Sequence, residues 1–164
     1  MENWIKIMEN SWPKEKLDEI YTVKIFLTNA NKNFQFTKEN IDIYPKEPAD
    51  IFVKDINKKF QITWADHEFL KEAGKTKPGN LIDLPPRRRE NVFREYVIRP
   101  LNKKGKYGKS AKGIICLIRA PFDPPWIEED LKRLRITGSN RILSKWGFDK
   151  IFLVCSGRNI QIYP

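Results

Sequence analysis

Apolar and polar positions alternate most clearly in the middle of the chain. Residues 51–53 (Ile-Phe-Val) and 60–64 (Phe-Gln-Ile-Thr-Trp) flank the polar segment Asp55-Ile56-Asn57-Lys58. Two short runs of strand-forming residues around a tight polar turn predict a β-hairpin. With Ile56-Asn57 as the turn centre, Lys54 faces Lys59, Phe52 faces Gln61 and Asp50 faces Thr63. Side chains alternate between faces with a period of two. Asp50, Gln61 and Thr63 therefore share one face, and Ile51, Val53, Phe60, Ile62 and Trp64 fill the other. A row of oxygen-bearing side chains opposite an apolar face is an arrangement that a hard cation can use.

The flanking patterns place helices and further strands around this hairpin. Leu17, Ile20, Tyr21, Val23/Lys24 and Leu27 recur at helical spacing, with Ser11 or Pro13 as the opening residue and residues 29–33 as the stop. Phe34-Gln35-Phe36-Thr37 predicts a strand. Val92, Phe93, Tyr96, Val97 and Leu101 predict a second helix from Asn91, which Pro100 should kink or end. Residues 114–118 are continuously apolar, the mark of a strand buried on both faces. Acids crowd the start of a third helix around Asp123 to Leu131. Ser139 caps a short helix to Trp146, with Gly147 as its stop. Residues 150–154 and 159–163 predict a buried strand and its edge neighbour across Ser156-Gly157-Arg158. This order of helices and strands predicts an α/β domain with a mixed central sheet flanked by helices, in one domain over residues 1–164.

Composition narrows the chemistry. No apolar run approaches the length of a membrane span, and the N-terminus lacks the layout of a signal peptide, so a cytoplasmic protein with no membrane partner is expected. Cys116 and Cys155 both sit inside apolar runs and read as buried free thiols. His67 is the single histidine, which excludes a His-rich metal site. Asp66, His67 and Glu68 form a second cluster of ligand-type residues, but consecutive residues on a helix point in different directions. The net charge is +10 and uneven. Residues 71–112 carry 13 Lys or Arg against four acids, which points to a polyanionic partner. Within that span, residues 74–89 form a long Gly-, Pro- and charge-rich loop ending in Arg87, Arg88 and Arg89. Such loops tend to be functional or disordered, and adjacent arginines can clamp phosphates bidentately. Lys103, Lys104, Lys106 and Lys109 follow, with Tyr107 among them as a stacking platform for a base or sugar.

Pro48-Ala49-Asp50, followed eleven positions later by Gln61-Ile62-Thr63, resembles the core motif of the PD-(D/E)xK nuclease superfamily. In that family an Asp after a Pro opens one strand, and an acid-x-Lys triplet lies on the next. This chain departs from the pattern in three ways: Ala49 separates Pro from Asp, Gln61 replaces the acid, and Thr63 stands where the Lys belongs. The order of elements from about residue 15 to 118 also resembles the superfamily core of helix, three-strand meander, helix and strand. The resemblance implies a restriction-endonuclease-like fold and hydrolysis of nucleic-acid phosphodiester bonds with Mg²⁺ or Mn²⁺. It further implies Asp50, Gln61 and Glu19 as metal ligands, with Thr63 in the catalytic triplet. Glu19 on the first helix is the best match to the family's helix acid, and Glu15 is the second choice. The missing cation would then come from Lys59, Lys104 or Lys106. Many nucleases of this class are homodimers. Two other readings fit the same residues: a nuclease-fold module that binds nucleic acid or a protein without cutting, and an unrelated α/β domain in which Asp50 caps a turn.

Overall fold

The computed structural model describes Met8 and residues 11–32, 34–46, 48–65, 93–105, 107–120, 127–136 and 140–164. A six-stranded mixed sheet runs through the molecule in sequence order: β1 (Ile41–Ile43), β2 (Ile51–Val53), β3 (Lys58–Trp64), β4 (Ile114–Arg119), β5 (Lys150–Val154) and β6 (Asn159–Tyr163). β1, β2 and β3 form an antiparallel meander. β4 then adds parallel to β3, β5 adds parallel to β4, and β6 returns antiparallel at the edge. Helices flank both faces, so the expected α/β architecture is present.

α1 (Leu17–Asn29) follows a 3₁₀ turn, Lys14–Lys16, that Pro13 opens. Ile20, Val23, Phe26 and Leu27 are buried against Ile51, Val53, Phe60, Ile62, Leu117 and Val154. Phe26 meets Phe60 edge-on at 5.8 Å and Phe152 in a tilted contact at 4.9 Å. Tyr21, expected on this buried stripe, is instead 39% exposed. The opposite face of the sheet carries Ile114, Cys116, Ile118, Ile151 and Leu153. They pack with Tyr96, Val97, Leu101, Trp146 and Phe148.

Pro100 does not end the helix, which continues to Lys104, but it alters the turn before it through the backbone. It has no N–H to donate to the carbonyl four residues back, so the preceding turn widens. Arg94–Ile98 is a π-turn, and α2 (Arg99–Lys104) starts immediately after it with Pro100 in its first turn. The expected helix start at Asn91 lies outside the described residues. α3 (Ile127–Ile136) carries Glu128, Glu129 and Asp130 in its first turn. The start at Asp123 and the Ser139 cap also lie outside them. α4 (Asn140–Leu143) runs into the 3₁₀ turn Ser144–Trp146, which Gly147 ends. The expected strand at 34–37 is absent. Phe34 and Phe36 pack on each other edge-on at 5.0 Å in a loop, and the first strand begins at Ile41.

Gly147 has φ +81, and a Cβ there would run into the backbone carbonyl of Gly108. Gly147→Ala therefore costs the left-handed backbone penalty of about 1–2 kcal/mol plus the displacement of the Gly108 turn. Gly113→Ala, at φ +82 with nothing nearby, costs only the backbone penalty. Thermal melting followed by circular dichroism should show a clearly lower midpoint for Gly147→Ala. Equal midpoints for the two variants would refute the contact.

Candidate functional site

The hairpin register brings Asp50 and Gln61 together. Val53 pairs with Lys58, Phe52 with Lys59 and Ile51 with Phe60. The Asp50 amide donates to the Phe60 carbonyl at 2.8 Å, which extends the ladder by one step. This register is two residues away from the expected one. The turn uses Lys54 to Asn57, closed by the Asn57 amide on the Lys54 carbonyl at 2.9 Å. Asn57 adopts φ +50, a left-handed position that its short polar side chain tolerates. A slip of two keeps every side chain on its expected face. Asp50 thus lies beside Gln61, not opposite Thr63.

The carboxylate is buried, with Asp50 only 6% exposed. Its Oδ2 accepts from Gln61 Nε2 at 2.8 Å and from the Ile62 amide at 2.7 Å. Gln61 is fully buried, and its Oε1 has no hydrogen-bond partner. Thr63 is buried one step further along the same face of β3, level with Ile118. Cys116 is level with Gln61 on β4, and burial pushes its thiol well above the usual range. It is a neutral thiol at physiological pH.

A cation reaches this pair from α2. Lys104 is the last residue of α2, and its Nζ lies 3.8 Å from Asp50 Oδ2 with the side chain 21% exposed. Leu101 is wholly buried, and the Trp146 indole donates to its carbonyl at 2.9 Å, so the end of α2 is fixed over the sheet. Of the other two lysines raised for this role, Lys59 lies with its Nζ over the Tyr44 ring, 5.7 Å from its centre. Lys106 is outside the described residues.

Glu19 approaches from α1. Lys16 Nζ donates to its two oxygens at 3.0 and 2.8 Å. Burial raises the Glu19 carboxyl above its ordinary value; the Lys16 bond pulls it down, and Asp50 pushes it further up. Lys16 is raised overall: burial alone would lower it, but the bond to Glu19 and the nearby Asp50 outweigh that. Sequence reading missed Lys16, although its spacing of three from Glu19 is that of a helix-surface ion pair. Asp50, Gln61 and Lys104 thus form one contact cluster, and the Lys16–Glu19 ion pair on α1 lies within electrostatic reach of its carboxylate.

The raised Glu19 carboxyl has a consequence for stability. The folded state holds this proton more tightly than the unfolded chain, so stability falls as pH rises from the ordinary glutamate value near 4.5 through the raised one. Urea titrations between pH 4 and 7 should show that decline in the wild type and a shallower one in Glu19→Gln. Parallel curves would contradict the shift.

Of the expected nucleic-acid contacts, Lys103 and Lys109 are exposed, while Lys104 turns inward to Asp50. Tyr107 is half-buried, and its ring and that of Phe148 meet edge-on at 5.9 Å. Arg87, Arg88, Arg89 and the Asp66-His67-Glu68 cluster lie outside the described residues. Cys116 and Cys155 are buried free thiols, as expected. Among the described residues, no helix is long and apolar enough to cross a membrane, and no three His, Cys, Asp or Glu side chains form a metal-binding group.

No family model, curated protein or solved structure matches this chain.

Proposed function

We propose that the chain is a metal-dependent nuclease whose site is Asp50, Gln61, Glu19 and Lys104. The observation that carries this reading is the Lys104–Asp50 approach. The strand motif lacks its lysine at Thr63, and a lysine from α2 stands beside the acid instead. The antiparallel meander followed by a helix and a parallel strand supports the same reading, since it is the element order of the PD-(D/E)xK core.

Residues present fit a hard divalent cation. Mg²⁺ and Mn²⁺ favour oxygen donors, and Mg²⁺ typically takes only one or two protein carboxylates, leaving the rest to water and phosphate. Asp50 and Glu19 offer carboxylates, and Gln61 Oε1 is a buried oxygen without a protein donor. When bound, such a cation would polarise the scissile phosphate and acidify its water. Asp50 and Gln61 would hold it. Lys104 would offset the charge that grows on the phosphate in the transition state. Lys16 keeps Glu19 oriented. Thr63 carries no charge and contributes shape alone.

The test is incubation of single- and double-stranded DNA and RNA with the wild type in Mg²⁺, Mn²⁺ or EDTA. Cutting that needs the metal and disappears in Asp50→Asn supports the reading. No cutting, or cutting indifferent to EDTA, contradicts it. The second reading, a silent nucleic-acid-binding module, is favoured by one feature: Gln61 presents its NH₂ to Asp50 and so ties the acid into the strand ladder. Metal-independent, salt-sensitive binding without cutting would select it.

A further inference from the structure

The end of the sheet where β3, β4 and β5 begin is crowded with lysines from separate parts of the sequence. Lys58 and Lys59 open β3, Lys112 precedes β4, Lys150 opens β5, and Lys109 and Lys145 lie in the adjoining 3₁₀ turns. All six are exposed. None has an ion-pair partner among the described residues, whereas nearby Lys54 is paired with Asp42 at 2.9 Å. Asp55 and Asp149 are exposed acids beside them. Asp149 accepts from the Gly113 amide at 2.9 Å, and its own amide donates to the Ile114 carbonyl at 3.0 Å. The close approach of Gly108 to Gly147 joins the Lys109 turn to the Lys145 turn. These links hold the cations on one fixed platform. Neighbouring strands lie about 4.8 Å apart, so the three strand starts span about 10 Å.

The geometry points to a binding track for the phosphodiester backbone of nucleic acid across this end of the sheet, leading to the Asp50 site. It rests on the nucleic-acid reading above for its partner class. Lys59 lies on the same strand and the same face as Gln61, two residues away, or about 7 Å. A strand engaged at Lys59 is therefore within about two nucleotide steps of Asp50, taking about 3.4 Å of duplex rise per nucleotide. Ammonium groups without an ion-pair partner among the described residues are suited to phosphates, because binding releases counterions without breaking a salt bridge; Lys59 alone of the six has a ring contact, with Tyr44. The contacts are to backbone and carry no sequence information.

Binding of fluorescein-labelled DNA and RNA oligonucleotides is measured in EDTA and in the Asp50→Asn background, so that cutting does not intervene. Lys112→Gln/Lys150→Gln is compared with Lys32→Gln/Lys132→Gln, which removes equal charge from exposed positions away from this platform. The first pair should weaken binding tenfold or more at 100 mM KCl and reduce the slope of log affinity against log salt by about two. The control pair should do neither. Equal behaviour of the two pairs overturns the track. So does lysine-dependent capture on vesicles of phosphatidylserine and phosphatidylcholine with no oligonucleotide binding. If binding depends on Lys112 and Lys150 but the wild type never cuts, the nuclease reading fails and the track stands. Metal-dependent cutting with no effect of the two lysines gives the reverse.

Discussion

Asp50→Ala should remove both cutting and a large part of the fold's stability. The side chain is buried and serves as acceptor for two buried donors, Gln61 Nε2 and the Ile62 amide. Each donor left unsatisfied costs about 1–3 kcal/mol, and Lys104 loses its nearby carboxylate as well. The expected loss is about 3–5 kcal/mol, or a fall in melting temperature on the order of 10 °C for a chain of this length. Urea unfolding of the two proteins measures it directly. Asp50→Asn keeps one carbonyl oxygen in the same place and removes the charge. It should lose far less stability while still abolishing metal-dependent cutting. An Asp50→Ala protein as stable as the wild type would mean that the two short hydrogen bonds do not anchor the hairpin.

Lys104→Met carries the second large effect, this time mainly on rate. Methionine keeps the apolar stem that packs at the end of α2 and removes the ammonium group. Loss of one preorganised charge or donor at a transition state typically costs about 100- to 1,000-fold in turnover. The same fall is expected here, with melting and oligonucleotide affinity changed much less. Lys104→Arg should retain part of the rate, since it keeps the charge but not the compact ammonium geometry. A Lys104→Met protein with unchanged single-turnover rate would leave the 3.8 Å approach without a chemical role.

Faces were easier to read from the chain than registers or partners. Period-two alternation put Asp50, Gln61 and Thr63 on one face of the hairpin, and burial of Ile51, Val53, Phe60 and Ile62 under α1 agrees. The register depended on which turn residue takes a left-handed backbone. Asn57 took it, and the pairing moved by two, which no hydrophobic pattern could reveal because a slip of two leaves the faces unchanged. The first edge strand was misplaced because Phe34 and Phe36 satisfy each other in a loop. Pro100 was legible as a disturbance of the helix but not its end, since the helix runs on to Lys104 and the turn before the proline widens where the N–H is missing.

The site was legible in part. Lys104 stood in the sequence as one of three candidate lysines for the cation missing from the strand, and only packing could show which of the described ones approaches Asp50. Leu101 and Trp146 fix the end of α2 so that Lys104 turns toward Asp50, while Lys59 rests on Tyr44. Lys103, Lys104 and Lys109 are close in sequence yet face different surroundings. A count of positive charge could not separate the inward cation from the outward ones. Nor could it show that Lys58, Lys59 and Lys150, from outside the basic stretch, converge with Lys112 at one end of the sheet.

The claim that Lys104 supplies the cation missing from β3 is tested most directly by moving that charge. Single-turnover cutting rates in Mn²⁺ are compared for the wild type, Lys104→Met and Lys104→Met/Thr63→Lys, since Thr63 lies on the same face of β3 as Gln61. The rate should collapse in the single variant and recover substantially in the double one. A single variant that cuts as fast as the wild type would contradict the claim.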